Sequence, residues 1–136
     1  MLGLLAPPAE ATTYRTRLLR IINHSRLING RKPLKINLSL SEDAKAHTRK
    51  MIRRGKLYDV PNLSQVLSPY KWSTGGDVVG CGDTLIEMHR LLMRHAYHRK
   101  IILSRKFTYV GIGVIKVDGK SACGRNSFWA TEIFYG

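Results

Sequence analysis

The chain has 136 residues, which suits one domain, and 43% of them are hydrophobic, which is enough to fill a core. Lys and Arg total 23 against 9 Asp and Glu, so the formal net charge of +14 indicates anionic partners and excludes no fold. No apolar run approaches the roughly 18–20 residues that a transmembrane helix needs.

The first residues resemble the last part of a secretory signal peptide but lack its first part. Ala9-Glu10-Ala11 has the small-x-small form of a signal-peptidase site, whereas the basic region and most of the apolar region that precede such a site are missing. We expect residues 1–11 to be a leader, either the remnant of a signal peptide or a segment without an address. Residues 12–136 are expected to form one domain.

Two helices are predicted in the first half of the domain. Apolar residues recur at helical spacing from Thr12 to about Asn29, where Asn29-Gly30 is a stop signal. A second helix is predicted to begin at Ser41, with two acids in its positive first turn, and to end at Gly55. Its inner stripe contains Ala44, His47 and Met51.

The middle of the chain is less regular. Residues 56–82 have no sustained period, and a segment of this length within one domain is typically functional or carries short strands. Asp83-Thr84 then opens a third helix, in which Glu87 completes a capping box with Thr84.

The last third changes to the period of a strand. Phe107–Val117 and Ser127–Tyr135 predict two strands, and Asp118-Gly119 between them is a hairpin signal. Helices followed by a strand pair predict an α+β fold in which helices pack on a sheet.

Cys81 and Cys123 are the only cysteines. No CxxC pair exists, so a thiolate zinc site of the usual spacing is absent. The two residues form one disulfide if the protein is exported, worth roughly 3–4 kcal/mol for so long a loop. The alternative, two free buried thiols, stays open.

Four segments, taken in order, resemble the compact bacterial form of the CAP superfamily, the cysteine-rich secretory and pathogenesis-related group-one type domain. They are Asn23-His24-Ser25-Arg26 with Pro33-Leu34, Ala44-Lys45-Ala46-His47 with Met51, His98-Arg99 with Val110-Gly111-Ile112-Gly113, and Trp129-Ala130-Thr131-Glu132-Ile133-Phe134. The last resembles the family's W-V-T-Q-x-F. The resemblance covers about residues 13–136 and implies a three-layer α-β-α sandwich, with helices on both faces of a small, mostly antiparallel sheet and a cleft between.

The resemblance also implies a polar cleft with two histidines and one or two acids. His98 matches one histidine, Asp77 stands where the family has a glutamate, and Asp59 stands where a second cleft histidine is expected. Val78 and Ile101 replace two asparagines of the family pattern. The polar site is therefore partly replaced.

A histidine with two carboxylates can still bind zinc, calcium or another divalent ion, so His98, Asp77 and Asp59 are candidate ligands of a metal-dependent hydrolase. His47 is a candidate cleft residue or an ordinary core histidine. The alternative is that Asp77 caps a turn, Asp59 is solvated and His98 bonds a backbone carbonyl. No Gly-x-Ser-x-Gly elbow accompanies these residues, which argues against a serine hydrolase.

A basic surface is predicted along the helices. Its residues are Lys45, Arg49, Arg53, Arg90, Arg94 and Arg99. No helix-turn-helix, RNA-recognition or zinc-finger signature is present, so specific nucleic-acid binding is not expected. The sequence therefore predicts a secreted, non-enzymatic CAP-type domain of the extracellular space or cell envelope that binds a lipid, an anionic membrane surface or an envelope polymer. The alternatives are the metal-dependent hydrolase and a structural domain with a decayed site.

Overall fold

The computed structural model describes the backbone of residues 9–136 and the side chains of residues 13–136. Its elements are α1 (Ala9–Ile28), β1 (Lys35–Ile36), α2 (Leu38–Arg54), α3 (Leu63–Leu67), β2 (Gly75–Gly82), α4 (Leu85–Arg94), α5 (Ala96–Ile102), β3 (Tyr109–Ser121) and β4 (Gly124–Tyr135). Most of the predicted leader lies outside the described residues, and its last three residues already belong to α1, which starts before the predicted Thr12. Among the helices that the structure describes, none is long and apolar enough to span a membrane.

The four strands form one sheet in the order β1-β3-β4-β2, in which only β1 and β3 run parallel. Side chains alternate along β4. Phe128, Ala130 and Phe134 join the apolar core under α1, α4 and α5. Trp129 and Ile133 pack on the other face, against residues of α2 and α3. This alternation builds the α-β-α sandwich and confirms the predicted fold.

Helix α2 packs so closely on the sheet that β3 has room only for a glycine at the point of contact. A Cβ at Gly113 of β3 would overlap the backbone of Ala44 and Lys45. The Thr48 hydroxyl donates to the carbonyl of Gly113 (2.9 Å) or shares a hydrogen bond with the Thr131 hydroxyl of β4 (2.8 Å). The inner stripe predicted for this helix is confirmed, since Ala44, His47 and Met51 are all buried.

The predicted start of α2 is wrong by three residues. The helix begins at Leu38, and Asn37 caps it by accepting the Leu40 N–H at 3.0 Å. Ser41 instead donates its hydroxyl to the Asn37 carbonyl (2.8 Å) and accepts the Ile112 N–H (3.0 Å), which ties the helix to the sheet. The two acids after Ser41 consequently lie beyond the first turn. Gly55 ends the helix in the left-handed conformation, as predicted.

Three further differences follow from tertiary contacts. The irregular segment contains α3 and the whole edge strand β2, and the third predicted helix, α4, is followed by a separate helix, α5, that was not predicted. Thr84 accepts the Glu87 N–H, as its capping role predicted. Asp118-Gly119 is not the hairpin turn. It lies where the pairing of β3 and β4 shifts register, with the Gly119 N–H bonded to Asn126, and the chain reverses at Ala122-Cys123.

The two cysteines are joined. The Cys81–Cys123 disulfide connects β2 to the tip of the β3–β4 hairpin across 42 positions of sequence. The structure thus favours the first of the two alternatives that the sequence left open.

Candidate functional site

Asp77 lies on β2 opposite Ile133 of β4, and its carboxylate accepts the Val60 N–H at 2.9 Å. Burial raises the pKa of Asp77 above its ordinary value, and the negative charge of Asp59 adds to the rise. The Val60 N–H and the charges of His47 and His98 oppose it. Asp59, His47 and His98 therefore all lie near enough to Asp77 to affect the pKa of its carboxyl.

His47 is committed to a structural contact. Its Nε2 lies 2.7 Å from the carbonyl oxygen of Tyr58. A carbonyl can only accept, so this nitrogen carries a proton and cannot bind a metal ion. The Tyr58 ring meets the imidazole edge to face, with centroids 4.7 Å apart, and the Arg54 guanidinium lies over the same ring. His47 also lines an open cavity of about 430 Å³ beside α3.

His98 belongs to α5, which packs against the opposite side of β2. Its Nδ1 is buried and has no hydrogen-bond partner in the described part of the chain, so the backbone carbonyl that one alternative assigned to His98 is not found at that atom. The ring contacts those of His95 and Tyr97, at centroid distances of 5.6 and 5.8 Å. Asp59 is exposed, as the solvated alternative predicted.

These residues do not fit a bound zinc or calcium ion. No group of three or more histidine, cysteine or acidic side chains in the described part of the chain could hold a metal. Both His47 Nε2 and one Asp77 oxygen already have protein partners. No hydrolytic step through a metal is therefore derived.

Ser25 and His89 form a pair that the sequence did not indicate. The Ser25 hydroxyl lies 2.7 Å from His89 Nε2, and both residues line an open cavity of about 380 Å³ between α1 and α4. The other ring nitrogen is buried without a partner. Burial lowers the pKa of His89 to about 4, so the imidazole is neutral at pH 7 but is too weak a base to activate a hydroxyl well.

Glu132 is a buried carboxyl that has no hydrogen-bond partner among the residues that the structure describes. It lies on β4 between Val78 and Ile112, on the face that carries the core under α1 and α4, and it is 1% exposed. Burial raises its pKa to about 8, so the carboxyl is mostly protonated at neutral pH. The family motif has glutamine here, an uncharged side chain of nearly the same shape.

Arg26 is a fully buried cation held by the backbone. It is 1% exposed, and its guanidinium donates to the carbonyls of Lys32 (2.8 Å), Ile102 (2.8 Å) and Ser104 (3.0 Å). These bonds tie α1 to the segment that follows α5. Burial and the nearby charge of Arg31 lower the pKa of this guanidinium.

The predicted basic surface is two surfaces. Lys45, Arg49 and Arg53 lie on α2, whereas Arg90, Arg94 and Arg99 lie on α4 and α5, across the sheet. The second group is exposed and lines the same cavity as Ser25 and His89.

Two further cavities extend this positive side. One of about 470 Å³ lies between the end of α1 and residues 105–108, and one of about 500 Å³ lies beside α5. The cations that line them are Arg26, Arg31, Lys32, Lys35, Arg99, Lys100, Arg105 and Lys106. No acidic residue is among the described residues that line either cavity.

Sequence reasoning missed Arg26, the Ser25–His89 pair and Glu132 as special positions. Arg26 and Glu132 stand within motifs of the resemblance, which is the one signal that marked them. The Ser25–His89 contact joins residues 64 apart, and no local pattern encodes it.

Comparison with known proteins agrees with this architecture. The sequence matches the CAP family, described as the cysteine-rich secretory protein family, over residues 19–134. It is 28% identical over 118 residues to the Bacillus subtilis protein YkwD, matching 80% of this chain and 45% of that protein. The chain thus spans less than half the length of that relative.

Solved structures share the fold at low sequence identity. An extracellular SCP-domain protein from Bacillus anthracis superposes with a TM-score of 0.73 at 18% identity, covering 98% of this chain and 45% of that one. An outer surface protein from Borrelia burgdorferi gives 0.76 at 13% identity, covering 98% of both chains. With the family match spanning most of the sequence, the chain belongs to the CAP family of cysteine-rich secretory proteins.

Proposed function

We propose that this chain is an exported, non-enzymatic binding domain whose positive side, formed by α1, α4 and α5, holds an anionic component of a cell envelope, either a polymer or a membrane surface. The observation that carries the proposal is the pair of cavities lined by eight cations and, among the described lining residues, no acid. Such a surface attracts polyanions and releases them as salt screens the charges.

Export is supported by three observations. The Cys81–Cys123 disulfide is typical of oxidising compartments. The family is described as secretory, and two proteins of similar fold are described as an extracellular and an outer surface protein. The small-x-small sequence at Ala9-Glu10-Ala11 resembles a cleavage site, although its side chains lie outside the described residues.

A binding role accounts for the polar cleft better than catalysis does. His47 and Asp77 are engaged by backbone groups, and the described residues form no metal-holding group. His89 touches a hydroxyl, but its pKa of about 4 makes it a weak base at neutral pH. We therefore propose no enzymatic reaction.

Vesicle binding tests the proposal. The protein is sedimented with phosphatidylglycerol–phosphatidylcholine vesicles, with phosphatidylcholine vesicles, and with an immobilised polyphosphate resin. We expect retention on at least one anionic phase, weakening steeply as salt rises through about 0.15 M, and none on phosphatidylcholine. Equal retention on all three, or retention that salt does not change, would overturn the proposal.

A further inference from the structure

The two cavities that carry the proposed function share a wall. Arg31 and Arg105 line both of them. On one side lie Lys32 and Lys35, and on the other lie Arg99, Lys100 and Lys106. We call this double cavity the cationic cleft. Positive groups therefore line both cavities, and Arg31 and Arg105 are common to the two.

The guanidinium that divides the cleft is fixed. Arg31 Nε donates to the Leu103 carbonyl and Nη1 donates to the Asn29 carbonyl, both at 2.7 Å. Its Nη2 makes no hydrogen bond within the described residues. Arg105 touches the Gly30 carbonyl only at 3.4 Å. Because two hydrogen bonds already hold the Arg31 side chain, it loses little conformational entropy when a ligand binds.

Among the described residues, no carboxylate neutralises one of the cations that line the cleft. Arg26 lines the first cavity, is fully buried, and is bonded to carbonyls rather than to a carboxylate. The positive charge of Arg31 disfavours the charged form of Arg26, and an anion bound between the two guanidinium groups would relieve that repulsion.

Phosphate groups suit these donors. Arginine presents a planar fork that matches phosphate oxygens, while lysine supplies point charges around them. Resting on the proposed function, we infer that the cationic cleft is a specific site for a phosphodiester polymer, with successive phosphates in the two cavities and Arg31 and Arg105 between them. A single phosphate in either cavity would leave without a partner the three of the eight cations that line only the other cavity.

The test uses a fluorescein-labelled abasic phosphodiester oligomer, which carries the phosphates of a nucleic acid without its bases. Binding to the folded chain is followed by anisotropy at about 0.15 M salt. The cleft variant is Lys32→Gln with Arg105→Gln, both exposed side chains. The control variant is Arg49→Gln with Arg53→Gln, which removes the same charge from exposed positions on α2.

We expect the cleft variant to weaken binding about tenfold or more and the control less than about threefold, with unfolding temperatures equal to wild type in both. Equal weakening by the two variants would overturn the cleft, because diffuse charge would then suffice, and would leave of the proposed function only its anionic partner and not its location on the α1–α4–α5 side. Absence of any binding by the wild type to this oligomer, to polyphosphate and to anionic vesicles would overturn both.

Two competition arms distinguish other occupants. Inorganic phosphate that displaces the oligomer at equal phosphate concentration would show a single-ion site and overturn the polymer. If the cleft variant loses binding to phosphatidylglycerol vesicles but keeps its affinity for the oligomer, the occupant is a membrane surface and the inference is wrong.

Discussion

On the α2–α3 side of the sheet, polar groups that resemble a family site have protein partners. His47 donates to the Tyr58 carbonyl, and Asp77 accepts the Val60 N–H. On the α1–α4–α5 side, buried polar groups are left unbalanced among the described residues: the Arg26 cation is bonded to carbonyls and not to a carboxylate, and the Glu132 carboxyl makes no hydrogen bond. With His47 Nε2 and one Asp77 oxygen engaged by backbone groups, this part of the polar cleft has fewer free groups to offer a ligand. The side that carries unbalanced charge is where ligand chemistry is to be sought.

Replacing Arg26 with methionine is expected to have the largest effect on this comparison. The change strands the carbonyls of Lys32, Ile102 and Ser104, which now accept from the guanidinium. We expect the free energy of unfolding to fall by about 3–5 kcal/mol, measured by urea denaturation. Arg20→Met, at an exposed position of the same helix, is the control and should change little. If the free energy of unfolding fell by less than about 1 kcal/mol in Arg26→Met, the hydrogen bonds of Arg26 to these carbonyls would not be important for stability.

Glu132→Gln tests the buried carboxyl of the α1–α4–α5 side through the pH dependence of the free energy of unfolding. The folded pKa of about 8 lies above the ordinary 4.5, so the native state holds the proton more tightly than the unfolded chain does. The contribution of the Glu132 carboxyl to the free energy of unfolding is fully present below about pH 4.5 and is lost as the pH rises through about 8. Each unit of pKa difference is worth about 1.4 kcal/mol, so glutamine should stabilise the protein by several kcal/mol above pH 8 and change little near pH 4.

The measurement for Glu132→Gln is the free energy of unfolding by urea across this pH range. Glu87→Gln serves as the control because Glu87 is exposed. Parallel pH profiles for wild type and Glu132→Gln would contradict the account, since they would mean that the carboxyl titrates normally in the folded state.

Metal addition should have the smallest effect. A bound ion at a hundred times its dissociation constant would stabilise the protein by about 2.7 kcal/mol, which is a shift of several degrees in a domain of this size. We expect zinc, calcium and chelator to shift the unfolding temperature of wild type by less than about one degree, and His98→Ala to respond in the same way. A shift in wild type that disappears in His98→Ala would restore the metal site and break the comparison.

The fold was accessible from sequence because helical and strand periods are local. The inner stripe of α2 and the cap at Thr84 were both predicted correctly for that reason. Short strands were one of two readings of residues 56–82, but β2 was not located there, because its glycines resemble a loop until a helix covers them. A Cβ at Gly82, for example, would press on the backbone of Met88. Asp118-Gly119 has turn chemistry, but the chain uses it for a register shift instead.

The candidate site was harder to predict from the sequence, because it depends on which side chains lie on the same face of the folded domain. One basic surface was predicted from helical stripes, but the sheet separates α2 from α4 and α5. The cationic cleft is built mainly from loop and helix-end residues such as Arg31 and Arg105, which have no periodic pattern. Three-dimensional adjacency of this kind has no signature within a short stretch of sequence.

The most direct test of the central claim is a backbone amide NMR titration of the folded chain, first with the abasic phosphodiester oligomer and then with zinc. We predict that the oligomer shifts the amide resonances of residues 30–32, 34–35 and 103–108, while zinc leaves those of His47, Asp77 and His98 unchanged at equimolar concentration. Oligomer shifts centred on α2, or a saturable zinc response at those three residues, would contradict this prediction.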